Sequence, residues 1–149
     1  MVGKDYRLGV VGVFINKEGF VLVGERNNEI GQWQFPQGGV DEGETPVEAI
    51  IREMREEVGC QNFDILKTSP TLTYYDFPPN SIAKIASHYV GQKQYWFLLK
   101  FKDDEQPSLD QSDNELRAFK WSSINEVIEN VIYWKKEAYS HGLKMLELI

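Results

Sequence analysis

The sequence predicts a mixed α/β fold, on three observations. Runs rich in Val, Ile and aromatic residues, such as YRLGVVGVFI at 6–15 and QYWFLLKF at 94–101, read as strands. One stretch in mid-chain, 45–59, carries both the start and the stop signals of a helix. A further amphipathic run, 131–148, closes the chain. Strands around one central helix, with helix again at the end, give a layered arrangement of both types.

Each element has its own justification, in chain order. Residues 6–15 look like a buried strand. Asn16-Lys17-Glu18-Gly19 is turn chemistry, and 20–24 reads as a returning strand, so a hairpin is expected. Residues 27–31 form a polar loop, and WQFPQGG at 33–39 leads towards the central helix. Thr45 is a natural N-cap, Pro46 suits the first helical position, and Glu48 completes a Thr-x-x-Glu capping box. Gly59 suits the left-handed position past the helix end. At 100° per residue, Val47, Ile50, Ile51, Met54 and Val58 fall on one apolar stripe, the expected core face. Residues 63–75 suggest one or two strands broken near Pro70, and 76–91 a Pro-containing loop. After the strand at 94–101 comes an acidic loop, 103–114, then a short strand, LRAFKW at 116–121. Ser122-Ser123 opens a helical stretch, and 131–148 reads as a second amphipathic helix. No internal repeat or low-complexity tract is present.

The chain has 149 residues, 42% hydrophobic and 26% charged, which suits a single domain spanning 1–149 with a sizeable core. No apolar run approaches a membrane span, and the start, MVGKDYRLGVVGVF, lacks the apolar core and cleavage site of a signal peptide. A lone cysteine allows no internal disulfide, so a reducing cytoplasmic setting is expected. The net charge of −7 excludes a broad basic surface for nucleic acid, so no DNA partner and no membrane partner is expected. Any contact with RNA or nucleotides must be local. The expected state is a monomer or weak oligomer.

Glu53, Glu56 and Glu57 stand at i, i+3 and i+4, crowding one patch of helix rotated roughly 120° from the apolar stripe. Like charges at this spacing destabilise a helix by a few tenths of a kcal/mol each. A cation would relieve them, and hard oxygen ligands suit Mg²⁺ or Mn²⁺. Ala49 projects into the same sector and is small enough to leave room. The plainer alternative is a solvated acidic face with Arg52 and Arg55 as ion-pair partners. Helix spacing alone leaves the two readings even.

The wider pattern bears on that choice. Gly38, five residues, Glu44, seven residues, then Arg52-Glu53-Met54-Arg55-Glu56-Glu57-Val58-Gly59-Cys60 resembles the Nudix box. Outside the box, WQFPQGG at 33–39 and GQKQYWF at 91–97 resemble the branch containing bacterial RNA pyrophosphohydrolases and plant-type dinucleoside tetraphosphate hydrolases. With Tyr6-Arg7 at the front and Trp134-Lys135 near the end, the likeness covers nearly the whole chain. It implies the Nudix fold, a mixed β-sheet sandwiched between α-helices.

The resemblance also implies roles. Glu53, Glu56 and Glu57, with Glu115 before the strand LRAFKW, would hold two or three Mg²⁺ or Mn²⁺ ions. The alternative for Glu115 is an exposed loop acid. Glu53 and Glu57 are the leading candidates to accept the proton from an attacking water. Glu44 and Arg52 would brace the loop of Gly38 against the helix, orienting the carboxylates. Arg7 would grip phosphate through its guanidinium fork. Here the chain departs from its relatives, with Leu8-Gly9 in place of Pro-Asn and one extra residue between Tyr6 and Trp33. Lys93 and Lys135 are candidate phosphate contacts, and Gln92 a hydrogen-bonding one. Tyr75 and Trp134 would stack on a base, worth about 1–3 kcal/mol, or else pack in the core. His88 and His141 show no partner pattern.

Ions at such a site would neutralise a polyphosphate chain, lower the pKa of a bound water and support the leaving phosphate. The resemblance implies two substrates, a dinucleoside polyphosphate such as diadenosine tetraphosphate and the 5′-triphosphate end of RNA. The alternatives are a housecleaning nucleoside triphosphate pyrophosphatase and a non-catalytic nucleotide-binding module. The retained glutamates disfavour the module, and the GQKQ run disfavours the triphosphatase.

Overall fold

The computed structural model describes residues 5–80, 86 and 88–149. Among these residues eight strands and three helices run in the order β1 (Asp5–Phe14), β2 (Val21–Arg26), β3 (Trp33–Gln34), β4 (Gln37–Gly39), α1 (Pro46–Val58), β5 (Phe63–Thr68), β6 (Thr73–Asp76), β7 (Tyr89–Phe101), β8 (Leu116–Ser122), α2 (Ile124–Asn130) and α3 (Lys136–Met145), with a 3-10 turn at Tyr133–Lys135 before α3. One mixed sheet has the order β4-β1-β7-β5, with β6 also on β7, and a smaller sheet has the order β3-β2-β8. In the first sheet β1 and β7 run parallel over ten residue pairs, and the other pairings are antiparallel.

Two apolar clusters lie on opposite faces of the β1–β7 pair. Val10, Phe14, Phe97 and Leu99 face Ile50, Met54 and Val58 of α1. Val11, Val13 and Trp96 face Phe35, Tyr139, Leu143 and the second sheet. The alternation of strand side chains produces this split. The result is a mixed sheet layered between helices, as the sequence predicts. Among the described residues no helix is long and apolar enough to cross a membrane.

The central helix forms where its local signals place it. Thr45 accepts from Glu48 N–H while Glu48 accepts from Thr45 N–H, and Gly59 adopts φ 71° with its N–H bonded to the Arg55 carbonyl. The expected core face is wrong in part. Val47 and Ile51 are exposed, at 45% and 38%, whereas Ala49 and Glu57 are buried. The buried arc is therefore displaced towards the carboxylates. Ala49 packs in the core and does not make room for an ion there.

Three other expectations change. The strands at 6–15 and 20–24 do not form a hairpin ladder. They join different sheets and share only the bridge Ile15–Val21, because β7 and β4 take both edges of β1 while β3 and β8 take both edges of β2. The strand expected at 94–101 begins at Tyr89, since Tyr6, Arg7 and Leu8 pair with Gly91, Gln92 and Lys93 while β6 pairs from the other side. Of the expected 76–91 loop, residues 81–85 and 87 lie outside the described residues. The expected helix over 131–148 contracts to the 3-10 turn and α3, because Val131 and Ile132 are extended, with ψ 147° and 138°. Those two β-branched residues favour extended backbone.

Candidate active site

The carboxylates gather where α1 crosses the glycine turn. Gly38 lies beneath Glu53 so closely that a Cβ there would sit 1.9 Å from Glu53 Cδ. Arg52 organises the approach. Its Nε and Nη2 grip both oxygens of Glu44 at 2.8 and 3.0 Å, Nη2 also donates to the Gly39 carbonyl at 2.8 Å, and Nη1 reaches Glu53 at 2.8 Å and Glu56 at 3.3 Å. The guanidinium and the Asp41 N–H hold the Glu44 carboxyl down at about 2. Glu53 is raised, because burial outweighs the contact with Arg52.

Glu57 is the most confined of the set, with 2% of the residue exposed. It accepts one long hydrogen bond, from Gln37 N–H at 3.3 Å. Burial pushes it up to about 8, against an opposing pull from Arg26. Glu115 precedes β8, and its loop docks on α1 through Asp113 N–H to the Glu56 carbonyl at 2.7 Å. Glu115 also pairs with Arg26 at 3.5 Å. Among the described residues no three acidic, His or Cys side chains lie close enough to hold a cation as they stand. The donor set nevertheless fits a hard divalent ion. It is all oxygen, and a charged Glu57 that has shed water without gaining a close cationic partner is costly unless one arrives.

A cavity of 610 Å³ opens beside the carboxylates, in the size range of small-ligand sites. Arg7, Gln92 and Tyr75 share one face by register, Arg7 opposite Gln92 and Gln92 opposite Tyr75, and all three line it. The Arg7 guanidinium occupies the space a side chain on Gly39 would need. Trp134 and Lys135 line the cavity from the 3-10 turn. Trp134 meets Tyr75 edge to face at 5.4 Å. Lys135 Nζ donates to Gln34 Oε1 at 2.7 Å and lies 5.4 and 5.2 Å from the Tyr75 and Trp134 ring centres. Burial pulls Lys135 down to about 8, with the Glu29 carboxylate opposing. The Tyr75 hydroxyl is raised by the same desolvation.

Six residues expected to contact substrate thus divide. Arg7, Tyr75, Gln92, Trp134 and Lys135 come together, and Lys93 does not. It follows Gln92 on β7, faces the other side of the sheet opposite Leu8 and Tyr74, and does not line the cavity. Other lining residues had no signal of their own, among them Arg26, Asn28, Glu29 and Asn80, while Gln34 and Gln37 were marked only as part of the WQFPQGG run. Arg26 reaches Glu115 only through the β2–β8 pairing, which sets it opposite Leu116.

Residues 5–142 match the NUDIX domain family. An RNA pyrophosphohydrolase of Francisella tularensis subsp. mediasiatica is 40% identical over 148 residues, covering 96% of this chain and 95% of that protein. An RNA pyrophosphohydrolase of Helicobacter pylori is 36% identical over 143 residues, covering 93% and 92%. The fold also matches a solved Ap4A hydrolase binary complex from C. elegans, with a TM-score of 0.64 at 17% identity, covering 96% of this chain and 99% of that one.

Proposed function

The chain belongs to the Nudix family, and from that premise we propose that it removes pyrophosphate from the 5′-triphosphate end of RNA. One observation carries the reading. A cavity walled by Arg7, Lys135, Tyr75 and Trp134 adjoins a buried carboxylate through Gln37, whose side chain lines the cavity while its N–H donates to Glu57. A nucleotide end and the phosphates attached to it would need that adjacency. The Francisella and Helicobacter relatives, matched over 95% and 92% of their lengths, support the choice of substrate.

Nudix hydrolases generally use divalent metal ions. We propose Mg²⁺ or Mn²⁺, two or three ions, held by Glu53, Glu56, Glu57 and Glu115. When bound, such ions supply charge neutralisation and water activation. The chain's own residues do the rest. Arg7 and Lys135 hold phosphate oxygens, Tyr75 and Trp134 flank a base, and Glu53 or Glu57 accepts the water's proton. Arg52, gripped by Glu44, fixes the carboxylates at the turn of Gly38. Lys93 stays a candidate only for phosphates that pass round the sheet edge.

A second reading is cleavage of a dinucleoside polyphosphate. The acidic chain, net −7, favours it, since it needs no long RNA track. Turnover with Mg²⁺ and with Mn²⁺ on 5′-triphosphate RNA, diadenosine tetraphosphate and free nucleoside triphosphates tests both, with Glu56→Gln as control. Pyrophosphate release from RNA is expected. Preference for free triphosphates would point to a housecleaning role, and no hydrolysis of any to a binding module.

Gly38→Ala offers a finer check on Glu53. The new methyl cannot coexist with the Glu53 carboxyl, so that side chain must move, and kcat/KM is expected to fall by about a hundredfold. The circular dichroism spectrum should stay that of the parent. Parental turnover in this variant would show that Glu53 need not sit where it does.

A further inference from the structure

Glu29 differs from the other acids of the site. It sits in the loop between β2 and β3 and lines the cavity rather than the carboxylate cluster. Its backbone is anchored, the N–H donating to the Arg26 carbonyl at 3.3 Å and the carbonyl accepting from Gln32 N–H at 3.1 Å. The same loop is tied down by Gly31 N–H to the buried Glu25 at 2.6 Å. The Glu29 carboxylate makes no hydrogen bond or ion pair among the described residues. Its charge is felt at Lys135 and at Tyr75, across the cavity.

A carboxylate repels phosphate and accepts hydrogen bonds without donating any. Lining the same cavity as Tyr75 and Trp134, it suits a flat ring whose edge carries N–H donors. Among the four RNA bases, only guanine presents two adjacent donors, N1–H and N2–H, which match the two carboxylate oxygens. Adenine and cytosine present one amino group beside a ring-nitrogen acceptor. Uracil presents one N–H between two carbonyls. An acceptor set against Glu29 would be desolvated and unpaired, at a cost of about 1–3 kcal/mol.

We propose that Glu29 is a specificity-determining residue that selects a guanine base in this cavity. The proposal rests on the nucleotide reading given above and deepens it, making guanosine-bearing 5′ ends the preferred substrates. Neither the phosphate contacts nor the clustered carboxylates distinguish bases, and among the described residues lining the cavity Glu29 is the one group that only accepts hydrogen bonds through a charged carboxylate.

Calorimetric titration of the full chain with GMP, IMP and AMP tests it without turnover. GMP is expected to bind at least about tenfold more tightly than AMP. IMP, which lacks the N2 amino group, should fall between. Glu29→Ala, in a loop held by its backbone, should bring the three within about twofold of one another. Equal binding of GMP and AMP by the parent, a GMP preference that survives Glu29→Ala, or no binding of any of the three would overturn it. Turnover on 5′-triphosphate RNAs differing in their first two bases separates the two layers. Hydrolysis blind to guanine overturns the role of Glu29 alone. GMP selectivity without RNA hydrolysis upholds Glu29 and overturns the RNA reading.

Discussion

Replacing Glu57 with Gln is expected to lower kcat/KM by at least about a hundredfold, the scale of losses around metal ligands, while making the metal-free protein more stable. The two effects have one cause. Glu57 is 2% exposed and, among the described residues, its carboxylate is answered only by the Gln37 N–H at 3.3 Å. A charge so placed costs several kcal/mol until a cation joins it. Gln keeps the shape, and its amide oxygen still accepts from Gln37, so the charge is removed without a cavity and the Gln37 N–H keeps its acceptor, at the smaller cost of a neutral NH2 group brought into the site. In chelator at pH 8 the variant should gain on the order of 2 kcal/mol. Added Mg²⁺ should raise the melting temperature of the parent and leave the variant where it was. Thermal melts with and without Mg²⁺, beside turnover on 5′-triphosphate RNA, check both halves. A variant that melts earlier than the parent in chelator would mean the carboxylate is already satisfied, and the metal role would fall.

The fold was legible where its causes are local. Thr45, Pro46, Glu48 and Gly59 specify α1 within one stretch of chain, and the helix forms between them. Strand partners are not local. Nothing in residues 6–24 reveals that the partner of β1 lies about eighty residues on, in β7, so the turn at 16–19 suggests a hairpin that does not form. The helix phase was off for a related reason. Val47 and Ile51 are apolar yet exposed, because the surface covering α1 is that of Val10, Phe14, Phe97 and Leu99, whose position the helix sequence does not encode.

The site divides along the same line. The spacing of Glu53, Glu56 and Glu57 follows from helix geometry and needs no partner to be read. The cavity is assembled from β1, β2, β3, β4, β6, β7 and the turn before α3, so its membership depends on register. Lys93 and Gln92 show the difference one residue makes. They are neighbours in the motif, and strand alternation sends one into the cavity and the other to the opposite face. Arg26 ends β2, and Glu29 lies just beyond it in a polar segment that composition marks only as loop. Their importance comes from what the second sheet brings them against, Glu115 in one case and the aromatic wall in the other.

Lys135→Met is expected to yield a more stable protein that no longer binds substrate well. Lys135 is 6% exposed, bonded to Gln34 and flanked by Tyr75 and Trp134. Burial lowers it from 10.5 to about 8. At Lys135 the folded chain therefore holds fewer protons than the unfolded chain between those two values, so this residue's contribution to stability rises with pH across that window, opposed from about 9 upward by the buried Cys60 thiol, which is pushed up to about 11. The stabilising contribution is complete above about 10.5 and is lost as pH falls through about 8. At pH 7 the full penalty stands, about 3 kcal/mol from a shift of this size. Met fills similar volume without charge but leaves the Gln34 oxygen unpaired, which returns about 1–2 kcal/mol. The net gain at pH 7 is thus about 1–2 kcal/mol, and the rise between pH 8 and 10.5 disappears from the variant's stability curve. Chemical denaturation at pH 7, 8, 9 and 10 measures it. A difference between parent and variant that is flat over this range would show that Lys135 meets no such penalty, since the Cys60 contribution cancels in it. The substrate affinity tells what the penalty is for, since a cation kept partly stripped of water is one a phosphate can claim at little further desolvation cost. An affinity for 5′-triphosphate RNA that survives Lys135→Met would assign the buried ammonium to Gln34 and the fold instead.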